Sequence, residues 1–466
     1  MLDAGTLPYV YWFAFLALGC AGIYYRNATQ AADVRATPEF GAFQKLFLVV
    51  YLIMMMADWM QGPYVYALYD FYGFSKGEIG QLFIAGFGAS MIFGTVVGGF
   101  ADKYGRKANC LIFVVLYSIS CVTKHFNNYW MLMLGRLVGG ISTSILYSAF
   151  ETWMIHEHKA ANFPEDLMKS TFSLMTFGSG TVAILAGLLS TWLASTFGFV
   201  APFDGSLVLL LAGGGVIFTQ WRENYGDSNQ GQAGSGQPAA IGSGFENFSK
   251  VWRLLQTNER VLLLGSIQSC FESAMYIFVF MWTPALEAGS GVLKIPHGLV
   301  FACFMVCLMI GSKLFEIIVK FRPEEHMTRW VFVVASAALA MPILTTNATA
   351  VFIGFLVFEV CCGIYFPAVG TMRSRYIPEE VRSTVMNVFR IGLNFIVVLT
   401  LININALATD TVFLLCTFLL TVAVLCQHRL FVLVEQNKTV EQRSLAGLNV
   451  GEEMDEVLNS KSNLAA

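Results

Sequence analysis

An all-α polytopic membrane protein, built as two six-helix halves with one leading N-terminal helix, is predicted by three observations. Of the 466 residues, 56% are hydrophobic and only 13% charged, with a mean hydropathy of +0.62. A soluble domain would expose too much of that apolar surface. Twelve apolar runs, each about 18–25 residues and so long enough to span a bilayer, centre near residues 57, 88, 116, 141, 181, 211, 272, 308, 338, 360, 394 and 418. Between the sixth and seventh lies Gly226 to Gly244, rich in Gly, Ser, Gln and Ala, which reads as a flexible link between the halves.

The leading run, Leu7 to Tyr25, has small residues near its end (Gly19, Cys20, Ala21), as a signal peptide would. Its N-terminal flank carries Asp3 and no Lys or Arg, whereas Arg26 and Arg35 follow it, so the charge bias favours an uncleaved helix with its N-terminus outside. The expected organisation is residues 1–43 for this helix and a cytoplasmic link, 44–225 for the N-terminal bundle, 226–259 for the linker, 260–430 for the C-terminal bundle and 431–466 for a disordered polar tail. Within the linker, Phe248, Trp252 and Leu255 stand at helical spacing and predict an interfacial helix. Pro284 is expected to end the seventh core span. Lys and Arg collect in alternate links, at 103–107, 159–169, 222–260, 313–329 and 373–382 and after His428, while the opposite links hold few charges. By the positive-inside rule the C-terminus is cytoplasmic.

Net charge is −3, which gives no electrostatic case for a nucleic-acid partner. The ten cysteines show neither CxxC nor Cys/His zinc spacing, so no disulfide, metal or cofactor is expected. No nucleophile elbow, P-loop or zincin motif occurs, which argues against an enzyme.

One short link stands out: Gly98-Gly99-Phe100-Ala101-Asp102-Lys103-Tyr104-Gly105-Arg106-Lys107. Gly98 permits close helix approach, Gly105 a sharp turn, and Asp102 can cap the next helix. The pattern G-x-x-x-D-K-x-G-R-K resembles the signature loop of the major facilitator superfamily, between its second and third core helices. Its second-half counterpart, near Gly311 to Arg322, is badly degraded. Longer stretches go further: Ala57 to Tyr66, Phe150 to His158, Trp221 to Tyr225, Leu264 to Pro284, and Gly363 to Pro367 followed by Arg375 to Pro378. Together they look like the eukaryotic molybdate-anion transporter family of that superfamily. The resemblance implies molybdate import through the plasma membrane. The chain is expected to be monomeric, and tungstate and sulfate are further candidate cargoes. It assigns no individual ligand.

Candidate site residues therefore come from ionisable groups at membrane depth, each costing about 2.5–3.5 kcal/mol at a helix centre unless it faces a cavity or a partner. In the superfamily fold the first, fourth, seventh and tenth helices line the central cavity. Here they carry Asp58, Arg136, Glu272 and Glu359, and Arg390 lies in the eleventh. Arginine offers an oxyanion a planar fork of donors, so Arg136 and then Arg390 are the expected substrate ligands, completed by Tyr64, Gln61, Gln268 and Asn394. Asp58, Glu272 and Glu359 outnumber the arginines, which suits proton carriers. Gly98, Asp102, Gly105, Arg106, Lys107 and Glu151 are the expected gate. Two other readings share these residues: a proton-coupled transporter of an organic solute, and a non-transporting receptor.

Overall fold

The computed structural model describes residues 6–28, 37–94, 105–225, 251–290, 295–378 and 382–463. The leading helix α1 is Leu7–Ala28. The N-terminal half follows as α2 Pro38–Gln61, a 3₁₀ turn Gly62–Tyr64, α3 Val65–Phe71, α4 Lys76–Gly94, α5 Arg106–Thr123, α6 Tyr129–Leu146, α7 Ala149–Ala160, α8 Glu165–Phe197 and α9 Ala201–Gln220. The C-terminal half comprises α10 Glu259–Ser290, α11 His297–Ile318, α12 Glu324–Leu339, α13 Met341–Leu344, α14 Ala348–Tyr376, α15 Arg382–Ile402 and α16 Thr409–Asn463. Among the described residues, 11 helices are long and apolar enough to cross a membrane. Helices α4 and α15 complete the thirteen expected, α4 running up to the undescribed 95–104 and α15 contributing the shorter apolar stretch Val388–Ile402.

Local chemistry sets the ends. Thr37 accepts from the Phe40 amide at 3.3 Å and Pro38 opens α2, a pre-organised helix start. Ser75 and Glu78 form a reciprocal capping box at α4, with the Ser75 amide 2.8 Å from Glu78 Oε2. Asn128 and Asn347 cap α6 and α14 through two backbone amides each. Pro63 breaks α2 into the 3₁₀ turn, as its missing donor requires.

Two expectations need correction. Pro284 does not end its span: α10 runs past it to Ser290, since neighbouring helices tolerate a freed carbonyl inside a bundle. Coil does not begin at 431 either, because α16 continues to Asn463 through a stretch that holds no proline. The linker residues 226–250, including Phe248, lie outside the described residues. The short helix at 251–257 buries Val251 and Leu255 and leaves Trp252 exposed.

Packing reveals a pseudo-twofold that the sequence does not display. In the first half α2 packs on α8 and α9, α4 on α6, and α5 on both α6 and α9. In the second, α10 packs on α15 and α16, α11 on α14, and α12 on both α14 and α16, which is the same scheme six spans later. The halves meet through α8 against α11 and α4 against α15, again an equivalent pair. Helix α1 lies outside this symmetry, along α11.

The contact between halves is tight on the face away from the linker. A Cβ on Gly187 would lie 2.5 Å from the Gly298 carbonyl, so only glycine allows α8 and α11 to touch there. Tyr64 meets His297 edge-on at 5.7 Å, and Tyr66 meets Phe280 at 5.3 Å. Toward the linker face a cavity of about 340 Å³ lies among α2, α7, α8 and α11. Tyr147, inside the bundle yet 54% exposed, looks into it.

Candidate functional site

In the N-terminal half, Asp58 accepts a 2.5 Å hydrogen bond from the Tyr117 hydroxyl of α5. Arg136 stands on α6, its Nε donating to the Leu82 carbonyl of α4 at 3.2 Å and its guanidinium lying 4.8 Å from the centre of the Phe83 ring. Gly86 makes room for it, since a Cβ there would come within 2.5 Å of Arg136 Nη2. Among the described residues no carboxylate comes within ion-pair distance of Arg136. Both groups are in electrostatic reach of Tyr117, which places them in one neighbourhood. Gln61 is elsewhere: buried, it donates to Ser206 of α9 at 3.0 Å and to the Ala57 carbonyl, locking α2 to α9.

In the C-terminal half, Glu272 sits at the centre of a denser cluster. Oε1 accepts from Tyr365 at 3.0 Å and from Arg373 Nη2 at 3.2 Å, and Oε2 accepts from Gln268 at 3.4 Å. Phe271 stacks on the Tyr365 ring at 4.0 Å and 9°, fixing the hydroxyl over the carboxylate. Arg390 is exposed and within electrostatic reach of Glu272 and of Tyr276, with no carboxylate in ion-pair distance among the described residues. Asn394, one turn further on, donates to the Arg390 carbonyl at 2.7 Å. Arg373 Nε is buried and finds no acceptor among the described residues. A buried guanidinium N–H without an acceptor, beside a second exposed guanidinium, is what an oxyanion would complete.

Arg373 is absent from the sequence-predicted site. Arg373 and Arg375 precede Pro378 and read as a basic link, yet a proline disfavours helix only for the residue before it, and α14 runs to Tyr376. Counting back from Pro378 would have kept Arg373 in the helix. Glu359, on the same helix, is buried at the α11–α14 contact near Cys307 and Cys362, and no donor reaches it among the described residues. It is separate from the Glu272 cluster. Tyr64 lies in the sealed contact between halves and lines no part of the cavity.

Of the expected gate residues, Gly98 and Asp102 lie outside the described residues. Gly105, with φ +104°, turns the chain into α5. The cap of α5 comes from far along the chain: Glu223 accepts from the amides of Lys107 at 2.8 Å and Ala108 at 3.0 Å. Arg106 and Lys107 are thereby tied to the end of α9, the Arg106 amide donating to the Asn224 carbonyl at 2.9 Å. Trp221 stacks on Trp153 at 3.8 Å, and Asn224 donates to Glu157 at 2.8 Å, which closes this clasp around α7. On the same face of the second half, Arg375 bonds Glu325 at 2.8 Å and Glu324 at 3.3 Å, in the first turn of α12. Glu151 faces the cavity.

Two pseudo-symmetric six-helix halves, sealed at one face and with a cavity between them toward the other, are the frame of a multi-pass membrane transporter of the major facilitator superfamily. The profile of a family described as sugar transporters, 12 TM, matches residues 8–365. The fold is similar to that of a point mutant of the nucleoside transporter NupG, with TM-score 0.67 and 12% identity, covering 84% of this chain and 99% of that one. It is also similar to a D-xylose-proton symporter, with TM-score 0.63 and 12% identity, over 82% of this chain and 96% of the other. The Molybdate-anion transporter of Xenopus tropicalis is 33% identical over 428 residues, 89% of this chain and 91% of the relative. That of Danio rerio is 34% identical over 403 residues, 81% and 82% respectively. The chain belongs to the molybdate-anion transporter family of this superfamily, a family of transporters and not of enzymes.

Proposed function

We propose that this protein imports molybdate across the plasma membrane by alternating access, with its C-terminus in the cytoplasm and the linker face inward. The observation that carries the reading is the pair Arg373 and Arg390 beside Glu272, one with a buried N–H lacking an acceptor, the other free of carboxylate partners among the described residues. Its family relatives bear the name Molybdate-anion transporter, which fits a tetrahedral dianion held by guanidinium forks. Tungstate shares that shape and charge and should compete. Gln268 donates to Glu272 and Asn394 to the Arg390 carbonyl, and turning those amides toward the anion would complete the oxyanion shell.

Carrying a dianion inward against an inside-negative potential costs about 4.6 kcal/mol per 100 mV, twice the single-charge value. Protons carried on Asp58 and Glu272 would offset that cost. A proton on Glu272 would also release Arg373 for the anion, so substrate and proton enter the same cluster together. Uptake of radiolabelled molybdate in cells lacking their own transporter tests this. The expected result is saturable uptake, competed by tungstate, faster at acid external pH and slowed by a protonophore. Absence of uptake by well-expressed protein would overturn the substrate, and rates indifferent to pH and protonophore would overturn the coupling.

A further inference from the structure

The cavity between α8 and α11 is chemically unlike the arginine cluster. Tyr24 of α1, Tyr51 and Trp59 of α2, and Tyr147 line it, together with Glu151 of α7. Its remaining wall is Phe172, methionines, small hydroxyl residues and small or aliphatic residues, and among the described lining residues Glu151 is the one charged group. The nearest cation by chain position, Lys313, stands 5.3 Å from the centre of the Tyr24 ring and is already paired with Glu316. The Glu151 carboxylate receives no hydrogen bond from any described residue, although it is close enough to Tyr51 to interact electrostatically.

We propose that this cavity is a binding site for an organic ammonium ion, separate from the oxyanion site. Aromatic faces attract a cation through the ring quadrupole, most strongly where water is displaced. A carboxylate among those rings supplies the counter-charge. Methionine side chains adapt their shape to whatever lodges against them. The volume, about 340 Å³, falls at the lower end of small-molecule pockets, about 300–1,000 Å³. An anion entering here would meet Glu151 and, among the described lining residues, no compensating cation.

The leading helix is part of this site and not a passive anchor. Tyr24 packs on Phe177 of α8 at 5.3 Å while α1 lies along α11, so α1 closes the side of the cavity that would otherwise open between the two halves.

Equilibrium dialysis of the purified full chain in lipid nanodiscs with labelled benzyltriethylammonium and labelled benzenesulfonate provides the test. The expected result is saturable binding of the ammonium and none of the sulfonate. Glu151→Gln weakens ammonium binding at least tenfold, Glu151→Asp less, and Trp59→Leu several-fold. Glu151 is exposed to the cavity and Gln matches its shape, so folding is checked by monodispersity; should Gln disturb it, the Asp variant and the cation-to-anion contrast in the wild type still decide. Equal binding of both probes, or wild-type ammonium affinity in Glu151→Gln, would overturn the proposal.

Discussion

In the C-terminal half α10 packs along α14, and Arg373 and Tyr365 close over Glu272. In the N-terminal half the equivalent helices α2 and α6 barely touch, and Asp58 meets the Tyr117 hydroxyl instead of a cation. The equivalent arginine-bearing helix of that half, α6, turns its guanidinium onto α4 and the Phe83 ring. One packing plan therefore carries two charge arrangements. In the C-terminal half the carboxylate meets a guanidinium directly, whereas in the N-terminal half Asp58 and Arg136 are each held by neutral partners.

The clasps on the linker face repeat the contrast with inverted sign. The first turn of α5 is basic, Arg106 and Lys107, and its free amides are met by Glu223 from the end of α9. The first turn of α12 is acidic, Glu324 and Glu325, and grips Arg375 from the end of α14. The first turns of the equivalent helices α5 and α12 are thus braced by non-equivalent neighbours, the end of α9 in the first half and the end of α14 in the second.

Breaking the central cluster should show the largest difference between halves. Glu272→Leu leaves Arg373 without its partner in a mostly buried site and is expected to cost about 3 kcal/mol, the lower range for breaking a buried pair. Asp58→Leu strands only a tyrosine hydroxyl and should cost about 1–2 kcal/mol. Thermal unfolding of the two variants in the same detergent checks the order, and a larger loss for Asp58→Leu would break the comparison. The clasps give smaller effects. Glu223→Gln weakens the charged cap of α5, for about 0.5–1 kcal/mol at this exposed position, and raising salt should shrink the difference. Glu325→Gln should behave in the same direction, since its carboxylate is buried against Arg375 and Tyr376.

Much of the fold was legible because a bilayer constrains it: span length, alternating basic links and the Gly/Ser-rich break give helix number and halving directly. Twofold organisation follows from helix count and linker, but the matching of contacts between the halves does not, since it resides in which helices touch and leaves no residue pattern. Within the site, depth and helix number single out Asp58, Arg136, Glu272 and Glu359 as groups needing a polar setting; the first three have a hydrogen-bond partner from another helix, and Glu359 has none among the described residues. What depth could not give was direction. Gln61 shares a helix with Asp58 but turns toward Ser206, and Glu359 shares one with Tyr365 but faces α11. Arg373 was hidden because a long side chain at a helix end reaches inward while its sequence neighbours read as a link.

The measurement that bears most directly on the account is molybdate uptake by Arg390→Ala and Arg136→Ala side by side, at matched surface expression, in cells lacking their own transporter. With the anion held on the C-terminal wall, Arg390→Ala should lower apparent affinity at least tenfold, and Arg136→Ala, whose guanidinium already rests on Leu82 and Phe83, should lower it far less. Uptake lost in Arg136→Ala and retained in Arg390→Ala would contradict it and move the oxyanion to the N-terminal half.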